Sequence, residues 1–285
     1  MSLRRTKNKM KFKSVTKEEL ETMSFDDIAY IILKEKGKKM KIALITGASS
    51  GFGLSLAKML DNAGFAVIAC ARRLEKLKSL QAELKNPSLI YALDVRDKNA
   101  VFEVAKNLPK QWQNIEILVN NAGLALGQES FENASLEDFE IMIDTNIKGL
   151  LYTTKAFLPH LERGGIIFNL GSVAGAYPYP GSHVYGGTKA FVRLFSHTLR
   201  NDLKGKDIRV TTIAPGIAKT EFSEVRFKGD KARAEAVYDG TKYLSANDVA
   251  KVICDIAALP KHVNINYLEL MPVSQSWAGF TFEGK

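Results

Sequence analysis

The chain has 285 residues, of which 46% are hydrophobic and 25% are charged, an ordinary composition for a globular protein. This length suits one large α/β domain with a small appendage, and no apolar run approaches the ~20 residues that a membrane-spanning helix needs. The formal net charge of +9 suggests nucleic-acid binding, but residues 1–39 carry +5 of it, and the remainder is only mildly basic.

Residues 1–39 form a unit of their own. A basic arm, from Arg4 to Lys13, precedes two segments with the spacing of helix caps and the apolar run Ile28–Leu33. This pattern predicts a short helical N-terminal extension, followed by one domain over residues 40–285. Acidic residues from Glu18 onward argue against a transit peptide, and the arm has no apolar core beside it as a secretory signal would.

From Met40 onward, apolar β-rich runs alternate with amphipathic helical patterns. Strands that lack strict alternation and are separated by helices indicate a parallel sheet buried on both faces. The sequence therefore predicts a single Rossmann-like, doubly wound α/β domain with a seven-stranded parallel sheet. The predicted strands are Lys41–Thr46, Phe65–Cys70, Leu89–Leu93, Ile115–Asn120, Gly165–Leu170, Ile208–Ile213 and Asn264–Leu270. Helices are predicted at Leu54–Asn62, Leu74–Leu84, Leu136–Leu161, Val184–Leu203 and Asn247–Leu259.

A glycine-rich segment lies between the first strand and the first helix. Gly47, Gly51 and Gly53 are spaced so that the chain can turn tightly and let a pyrophosphate approach the backbone. The following helix would point its N-terminal N–H groups at that phosphate. The position of the motif after a strand and before a helix favours a dinucleotide cradle over a turn without a ligand.

The second and third strands end in residues that suit the adenosine half of such a cofactor. Arg72 and Arg73 stand where a site for NAD carries an acidic residue, and two arginines suit the 2′-phosphate of NADP. Asp94, after the third strand, is expected either to accept a hydrogen bond from the adenine amino group or to cap a helix.

The fourth and fifth strands end at the same edge. Asn120-Asn121-Ala122-Gly123 offers small residues against which a flat cofactor can lie, and Ser172 follows the fifth strand. Ligands of open α/β sheets bind at the carboxyl ends of the strands.

Tyr185 and Lys189 are four residues apart on a predicted helix and share one of its faces. A free tyrosine has a pKa of ~10, so it is a poor base near neutral pH. A neighbouring ammonium and an oxidised nicotinamide would stabilise its phenolate. Tyr185 could then exchange a proton with an alcohol or a carbonyl group.

Taken together, these motifs resemble the short-chain dehydrogenase/reductase family. The resemblance runs from Met40 to about Phe280 and includes Thr46–Gly53, Asn120–Gly123, Asn146, Ser172, Tyr185, Lys189 and Pro215-Gly216, in order and at the expected separations. Within the family the chain is most similar to the bacterial NADP-dependent 3-hydroxy acid dehydrogenases, also called serine or allo-threonine dehydrogenases. Segments that carry this likeness include Gly123–Gly127, Glu224–Asp230, His262–Asn266 and Pro272–Ser276.

The resemblance implies a role for each site residue. Tyr185 would be the acid/base, Ser172 would hold the substrate oxygen, Lys189 would bind the nicotinamide ribose, and Asn146 would order a water in a proton relay. The residues expected to contact NADP are Gly47, Ala48, Ser49, Ser50, Gly51, Phe52, Gly53, Arg72, Arg73, Asp94, Val95, Asn121, Ala122, Gly123, Tyr185, Lys189, Pro215, Gly216, Ile217, Thr220 and Glu221. The family is commonly tetrameric, so a homotetramer is expected.

A substrate that is a small hydroxy acid or its semialdehyde also needs a group to hold its charge. Arg226, between Val225 and Phe227 in a segment expected to form a lid, can grip a carboxylate with two parallel hydrogen bonds. Pairing of Arg226 with Glu224 or Asp230 on the lid surface is the alternative.

Three other functions compete with this interpretation. One is a reductase of larger carbonyl compounds, and another is a non-catalytic NADP sensor, which the intact Asn146, Ser172, Tyr185 and Lys189 disfavour. The third is a nucleic-acid-binding module, which the basic arm alone does not support because it lacks interleaved aromatic residues.

The cysteines and histidines suggest neither disulfides nor metal. Cys70 and Cys254 are isolated within apolar segments, which predicts buried thiols in a reducing, cytoplasmic compartment. The four histidines are scattered without the spacing of metal ligands, so no metal site is expected, and no membrane partner is expected either.

Overall fold

The structure, a computed structural model, describes Met23, Ile28, Ile31 and residues 39–276. The predicted basic arm and short helices therefore lie outside the described residues except at those three positions, and so does the end of the chain after Ser276. The domain boundary at Met40 stays a prediction.

The described chain forms the predicted α/β architecture. Its strands are β1 (Lys41–Thr46), β2 (Phe65–Ala71), β3 (Ser88–Ala92), β4 (Ile115–Asn120), β5 (Leu161–Leu170), β6 (Arg209–Pro215), β7 (Ala218–Lys219), β8 (Leu244–Ser245) and β9 (Tyr267–Leu270). The α-helices are α1 (Gly51–Asn62), α2 (Leu74–Glu83), α3 (Lys98–Lys106), α4 (Leu136–Ile143), α5 (Leu150–Phe157), α6 (His183–Asp202), α7 (Phe222–Arg226), α8 (Lys231–Ala236) and α9 (Ala246–Ala257).

Seven strands form one parallel sheet in the order β3-β2-β1-β4-β5-β6-β9, and β7 pairs with β8 separately. The direction in which successive strands are added to the sheet reverses between β1 and β4. These two strands are paired in parallel, with Ala43 opposite Ile117 and Ile45 opposite Val119. Connections leave β1 and β4 in opposite directions there, so a crevice opens at the carboxyl ends of the two strands. This is where open α/β sheets bind ligands.

A hydrophobic layer covers each face of the sheet, because successive side chains of a strand point to opposite faces. In β1, Ala43 and Ile45 belong to one cluster, and Ile42 and Leu44 belong to the other. All four are at most 1% exposed, and burying a side chain of the size of isoleucine or leucine contributes about 1.5–3 kcal/mol. The layers fix the edge of the sheet on which the predicted site residues converge.

The helix predicted over Leu136–Leu161 is not a uniform α-helix. After α4 the chain forms a π-helical segment at Asp144–Gly149, continues as α5 and ends in a 3₁₀ turn at Leu158–His160. A π-bulge inserts extra backbone into a helix and often marks a functional site. Here it contains Asn146, one of the predicted site residues. Within the described ranges, no helix is both long and apolar enough to cross a membrane.

Candidate active site

The glycine-rich turn needs its glycines for two physical reasons. Gly47 and Gly51 have φ values of +67° and +52°, in the left-handed region that favours glycine. A Cβ atom on Gly53 would lie 2.4 Å from the carbonyl oxygen of Gly47, so only glycine fits there. The turn is thereby held against α1, as a phosphate-binding turn requires.

Side chains at the ends of β1 and β4 join the two strands at the crevice. The Thr46 hydroxyl accepts hydrogen bonds from the backbone N–H groups of Asn121 (3.1 Å) and Ala122 (3.0 Å). The Asn121 amide donates in return to the carbonyl oxygens of Thr46 (2.9 Å) and Gly47 (3.2 Å). These bonds fix the floor of the crevice before any ligand binds.

The N-terminus of α1 is open. Its N-cap residue, Ser50, makes no side-chain capping bond, and the first turn carries no acidic residue. The first N–H groups of a helix have no partner within it and favour an anion. The free N–H groups of α1 lie next to the glycine-rich turn, whose backbone a ligand can approach because no side chain covers it. This arrangement fits a pyrophosphate.

A network of basic side chains lies beside this terminus. Arg73 donates to the hydroxyls of Ser49 (3.1 Å and 3.2 Å) and Ser50 (2.8 Å), and its Nη1 atom pairs with Glu221 at 2.7 Å. Lys76 pairs with the other oxygen of Glu221 at 2.6 Å. Burial raises the pKa of Glu221, but the bonds from Lys76 and Arg73 outweigh it and lower the pKa overall. The network is positively charged, as a site for a second phosphate would be.

Asp94 lies at the mouth of the crevice but is engaged. Both of its oxygens accept bonds from the Arg96 guanidinium (2.6–3.1 Å), and the bond from Arg96 lowers the pKa of Asp94. The alternative role, as a helix cap, belongs to Asp97, whose side chain accepts from the Ala100 N–H. If the adenine amino group donates to Asp94, it therefore shares the Asp94 carboxylate with the Arg96 guanidinium.

The predicted catalytic side chains meet at the carboxyl end of β5. Tyr185 is 8% exposed, and its phenol interacts with the Ser172 hydroxyl. Burial raises the pKa of Tyr185 to about 12, although the bond from Ser172 opposes this. A phenol with so high a pKa keeps its proton near neutral pH.

Lys189 supplies a cation close to this phenol. Its Nζ atom is 5.8 Å from the centre of the Tyr185 ring and donates to the Leu170 carbonyl oxygen at 2.7 Å. Burial lowers the pKa of Lys189 to about 8, and no carboxylate is among the causes of the shift. Lys189 therefore remains mostly protonated at pH 7 without an acidic partner.

Asn146 supports the site from behind. From the π-helical segment, its amide oxygen accepts from the Leu124 N–H at 2.9 Å, and its amide nitrogen donates to the Leu124 carbonyl (2.8 Å) and to Thr188 (3.0 Å). A Cβ atom on Gly123 would lie 3.1 Å from the Asn146 amide oxygen and 3.4 Å from the Lys189 Nζ atom. The predicted water relay through Asn146 stays a prediction.

The segment predicted to form a lid contains α7 and α8, and residues of both helices line the cleft. Arg226, at the end of α7, donates from Nε to the Gly127 carbonyl oxygen (3.0 Å) and from Nη1 to the Tyr179 hydroxyl (3.0 Å). Its Cζ atom lies 5.9 Å from the centre of the Tyr185 ring. The Nη2 atom is buried and has no hydrogen-bond partner among the described residues. Arg226 thus lies near Tyr185, and among the described residues it does not pair with Glu224 or Asp230.

One cleft of about 850 Å³ brings nearly all the predicted residues together. Its lining includes Gly47, Ser49, Ser50, Gly51, Phe52, Arg72, Arg73, Asp94, Val95, Asn121, Ala122, Gly123, Ser172, Tyr185, Lys189, Pro215, Gly216, Ile217, Thr220, Glu221 and Arg226. Ala48, Gly53 and Asn146 lie behind the surface of the cleft. The described part of the chain contains no group of three or more His, Cys, Asp or Glu residues that could hold a metal ion.

Three residues at or beside the cleft were not among the predicted site residues. Tyr179 and Gln275 line the cleft, and Lys76 joins the Arg73–Glu221 network. The Gln275 side chain accepts from the Ile217 N–H at 2.8 Å and so fixes the segment that leads into the lid. Of the three, Lys76 is the one that the sequence could have indicated. It lies about one turn of α2 after Arg73 and therefore on the same side of the helix.

Comparisons with known proteins agree with this geometry. A family model described as "short chain dehydrogenase" matches residues 41–231. The NADP-dependent 3-hydroxy acid dehydrogenase YdfG of Escherichia coli (strain K12) is 53% identical over 241 residues, which are 84% of this chain and 97% of that protein. Sulfoacetaldehyde reductase 2 of Chromohalobacter salexigens is 49% identical over 85% of this chain and 98% of its own.

Among solved structures, the closed form of serine dehydrogenase complexed with NADP+ superposes with a TM-score of 0.83. The two sequences are 51% identical, and the match covers 86% of this chain and all of the other. The fold, the site and these matches define a dehydrogenase: the chain belongs to the short-chain dehydrogenase family. The predicted family and fold class are thereby confirmed.

Proposed function

We propose that the protein is an NADP(H)-dependent oxidoreductase that interconverts small 3-hydroxy acids and their carbonyl forms. The observation that carries this proposal is the position of Arg226. Arg226 lines the same cleft as the acid/base Tyr185, its guanidinium carbon is 5.9 Å from the ring of that residue, and its buried Nη2 donor has no partner among the described residues. A cation so placed selects a substrate with an anionic group near its reacting carbon.

The cofactor is NADP, held along the carboxyl edge of the sheet. The open terminus of α1 and the turn at Gly47 would take the pyrophosphate, and Arg72 and Arg73 would take the 2′-phosphate. Two relatives support this choice, because the Escherichia coli enzyme is named NADP-dependent and the serine dehydrogenase structure contains NADP+. When bound, the nicotinamide accepts or donates the hydride.

The side chains of the cleft supply the proton chemistry. Ser172 holds the substrate oxygen and, through its bond to Tyr185, brings the phenol within reach of that oxygen. Tyr185 takes the hydroxyl proton in oxidation and returns it to the carbonyl oxygen in reduction. The Lys189 ammonium, 5.8 Å from the phenol ring, stabilises the phenolate that forms in the oxidative direction.

The distance between Arg226 and Tyr185 sets the length of the substrate. In 3-hydroxypropanoate and serine, two carbon–carbon bonds separate the carboxylate carbon from the carbinol carbon. An anion held at the Nη2 atom of Arg226 therefore leaves the carbinol next to Tyr185 and Ser172. A larger carbonyl compound without a charge would leave that buried donor unpaired, which costs about 1–3 kcal/mol.

A sulfonate is a second candidate for the anionic group. The relative from Chromohalobacter salexigens is named for sulfoacetaldehyde, in which the sulfonate sulfur is likewise two bonds from the carbonyl carbon. Arginine recognises negative charge and paired oxygens, which both anions present. Relative rates with 3-hydroxypropanoate and with 2-hydroxyethanesulfonate decide which anion is preferred.

We also propose that the enzyme assembles as a homotetramer in the cytoplasm. The outer face of α6 supports self-association, because Leu194 is 69% exposed and the Phe191 and Phe195 rings stack at 5.8 Å beside it. Both cysteines are free thiols, as expected in a reducing compartment. Light scattering of the purified protein measures its mass, and a monomer would refute the assembly.

The experiment that tests the proposed function is a rate comparison. The protein is incubated with NADP+ or NAD+ and with 3-hydroxypropanoate, serine, allo-threonine or an uncharged alcohol, and the absorbance of the reduced cofactor is followed. We expect the hydroxy acids with NADP+ to give the highest kcat/KM. Equal or faster oxidation of the uncharged alcohol would contradict the proposal.

A further inference from the structure

Tyr179 presents a hydroxyl group that no part of the proposed chemistry uses. Its oxygen accepts a hydrogen bond from the Nη1 atom of Arg226 at 3.0 Å, and the residue lines the cleft. A phenol that accepts such a bond still has a proton to donate. None of the described residues accepts that proton.

The turn that carries Tyr179 is rigid. The Ser182 hydroxyl accepts from the Tyr179 N–H (3.0 Å) and donates to the Tyr179 carbonyl oxygen (2.6 Å), and the Ser182 N–H donates to the same oxygen at 3.0 Å. Gly181 follows with a φ of +74°, and a Cβ atom there would lie 2.3 Å from the Gln128 carbonyl oxygen. The phenol therefore occupies its place without being ordered by a ligand.

Arg226 is fixed equally well on the other side. Its Nε atom donates to the Gly127 carbonyl, and its own carbonyl accepts from the Gly127 N–H at 2.9 Å. The guanidinium lies 5.5 Å from the ring centre of Tyr179 and 5.9 Å from that of Tyr185. Two donors without acceptors, the Nη2 atom of Arg226 and the hydroxyl of Tyr179, thus lie on neighbouring groups beside the acid/base.

We propose that Tyr179 is a substrate-binding residue that donates a second hydrogen bond to the anionic group held by Arg226. The inference rests on the proposed function, since it concerns the same substrate. A carboxylate has two oxygens. The Nη2 atom of Arg226 donates a hydrogen bond to one of them, and the Tyr179 hydroxyl donates to the other. Tyr179 thereby selects an anionic substrate over a neutral one of the same length, in addition to the charge of Arg226.

The first test compares an acid with its uncharged ester. Tyr179→Phe keeps the ring against Arg226 and removes only the hydroxyl. Hydrogen bonds to charged groups are the stronger class, so we expect the ratio of kcat/KM for 3-hydroxypropanoate over its methyl ester to fall about tenfold, mostly through KM. An unchanged ratio would overturn the proposal.

Tyr177→Phe provides a matched control. It removes a hydroxyl from the same loop, but that hydroxyl is bonded to Glu269 and does not line the cleft. We expect this variant to keep the wild-type ratio. A similar drop in both variants would mean that the loop responds to any lost hydroxyl, and Tyr179 would have no special role.

The second test separates direct binding from positioning of Arg226. Calorimetry measures binding of 3-hydroxypropanoate to the NADP+ complex of the inactive Tyr185→Phe variant, with Tyr179→Phe and Arg226→Met added singly and together. If Tyr179 touches the anion, its loss weakens binding further when Arg226 is already replaced. No further loss would mean that Tyr179 acts only through Arg226, and the proposal would be wrong.

Different results would contradict the proposed function and the role of Tyr179. A wild-type protein that neither binds nor oxidises 3-hydroxypropanoate, serine or a hydroxysulfonate removes the proposed function and with it this inference. A wild-type protein that oxidises the acid and prefers it over the ester, together with a Tyr179→Phe variant of unchanged preference, removes the inference alone.

Discussion

Lys189 is expected to lower the free energy of unfolding, although the proposed chemistry uses its charge. The residue is 7% exposed, its ammonium bonds to the Leu170 carbonyl oxygen, and burial lowers its pKa from 10.5 to about 8. In the unfolded chain the same amine has an ordinary pKa. We predict that Lys189→Met unfolds less readily than the wild type at pH 7.

The magnitude follows from the difference between the two pKa values. Each pKa unit corresponds to about 1.4 kcal/mol, so the buried ammonium destabilises the folded state by about 3 kcal/mol at pH 7. The lost hydrogen bond to Leu170 offsets about 1 kcal/mol of the gain. The variant should therefore have a free energy of unfolding about 2 kcal/mol higher than the wild type.

The sign of the pH dependence is fixed by the lowered pKa. Between pH 8 and 10.5 the unfolded chain binds more protons at this amine than the folded chain, so the stability of the wild type rises relative to the variant. At pH 10 the cost of the ammonium falls below about 1 kcal/mol, and the advantage of the variant should vanish.

The assay is urea unfolding of both proteins at pH 7 and pH 10, followed by circular dichroism. Comparing them at each pH cancels the other groups that titrate. Lys251→Met is the control, because Lys251 is exposed and pairs with Asp255, and it should change stability by less than about 1 kcal/mol at either pH. A Lys189→Met variant less stable than the wild type at pH 7, or a difference independent of pH, would refute the reasoning.

Four further predictions concern the catalytic group, the cofactor, the packing and the extension. Tyr185→Phe should abolish turnover but leave the NADPH dissociation constant within a few-fold, and substantial activity would reassign the acid/base role. Neutral residues at Arg72 and Arg73 should weaken NADP+ binding about tenfold or more per arginine, with little effect on NAD+, as fluorescence titration can measure. Arg209→Met should lower the free energy of unfolding by about 2 kcal/mol, because the buried guanidinium donates to three carbonyls at the end of α9. A chain that starts at Met40 should fold and keep its specific activity, and insolubility would show that the extension belongs to the fold.

The sheet could be predicted from sequence because its strands are buried on both faces and appear as continuous apolar runs. The prediction was inaccurate where local signals differ from the tertiary structure. β5 begins at Leu161, four residues before the prediction, since its first residues are polar and glycine-rich. β9 begins at Tyr267, later than predicted, because the Asn264 side chain bonds to the backbone of Val210 in place of a strand.

The site was predictable where a motif has fixed spacing along the chain. The glycine turn and the Tyr185–Lys189 pair are local patterns, and each residue of these patterns lies at or directly behind the cleft. The contact of Asn146 with Leu124 was not predictable, because its side-chain bonds reach a residue that is distant along the chain. The partnership of Tyr179 with Arg226 joins residues 47 positions apart, and no local pattern reports such a pair.

The most direct measurement of the central claim is the fate of deuterium from 3-hydroxypropanoate labelled with two deuterons at C3. The labelled acid is incubated with the enzyme and NADP+, and the cofactor is analysed by mass spectrometry. We expect reduced NADP that carries one deuteron from the substrate. Reduced cofactor without the label, or no reduction of NADP+ while an uncharged alcohol is oxidised, would contradict it.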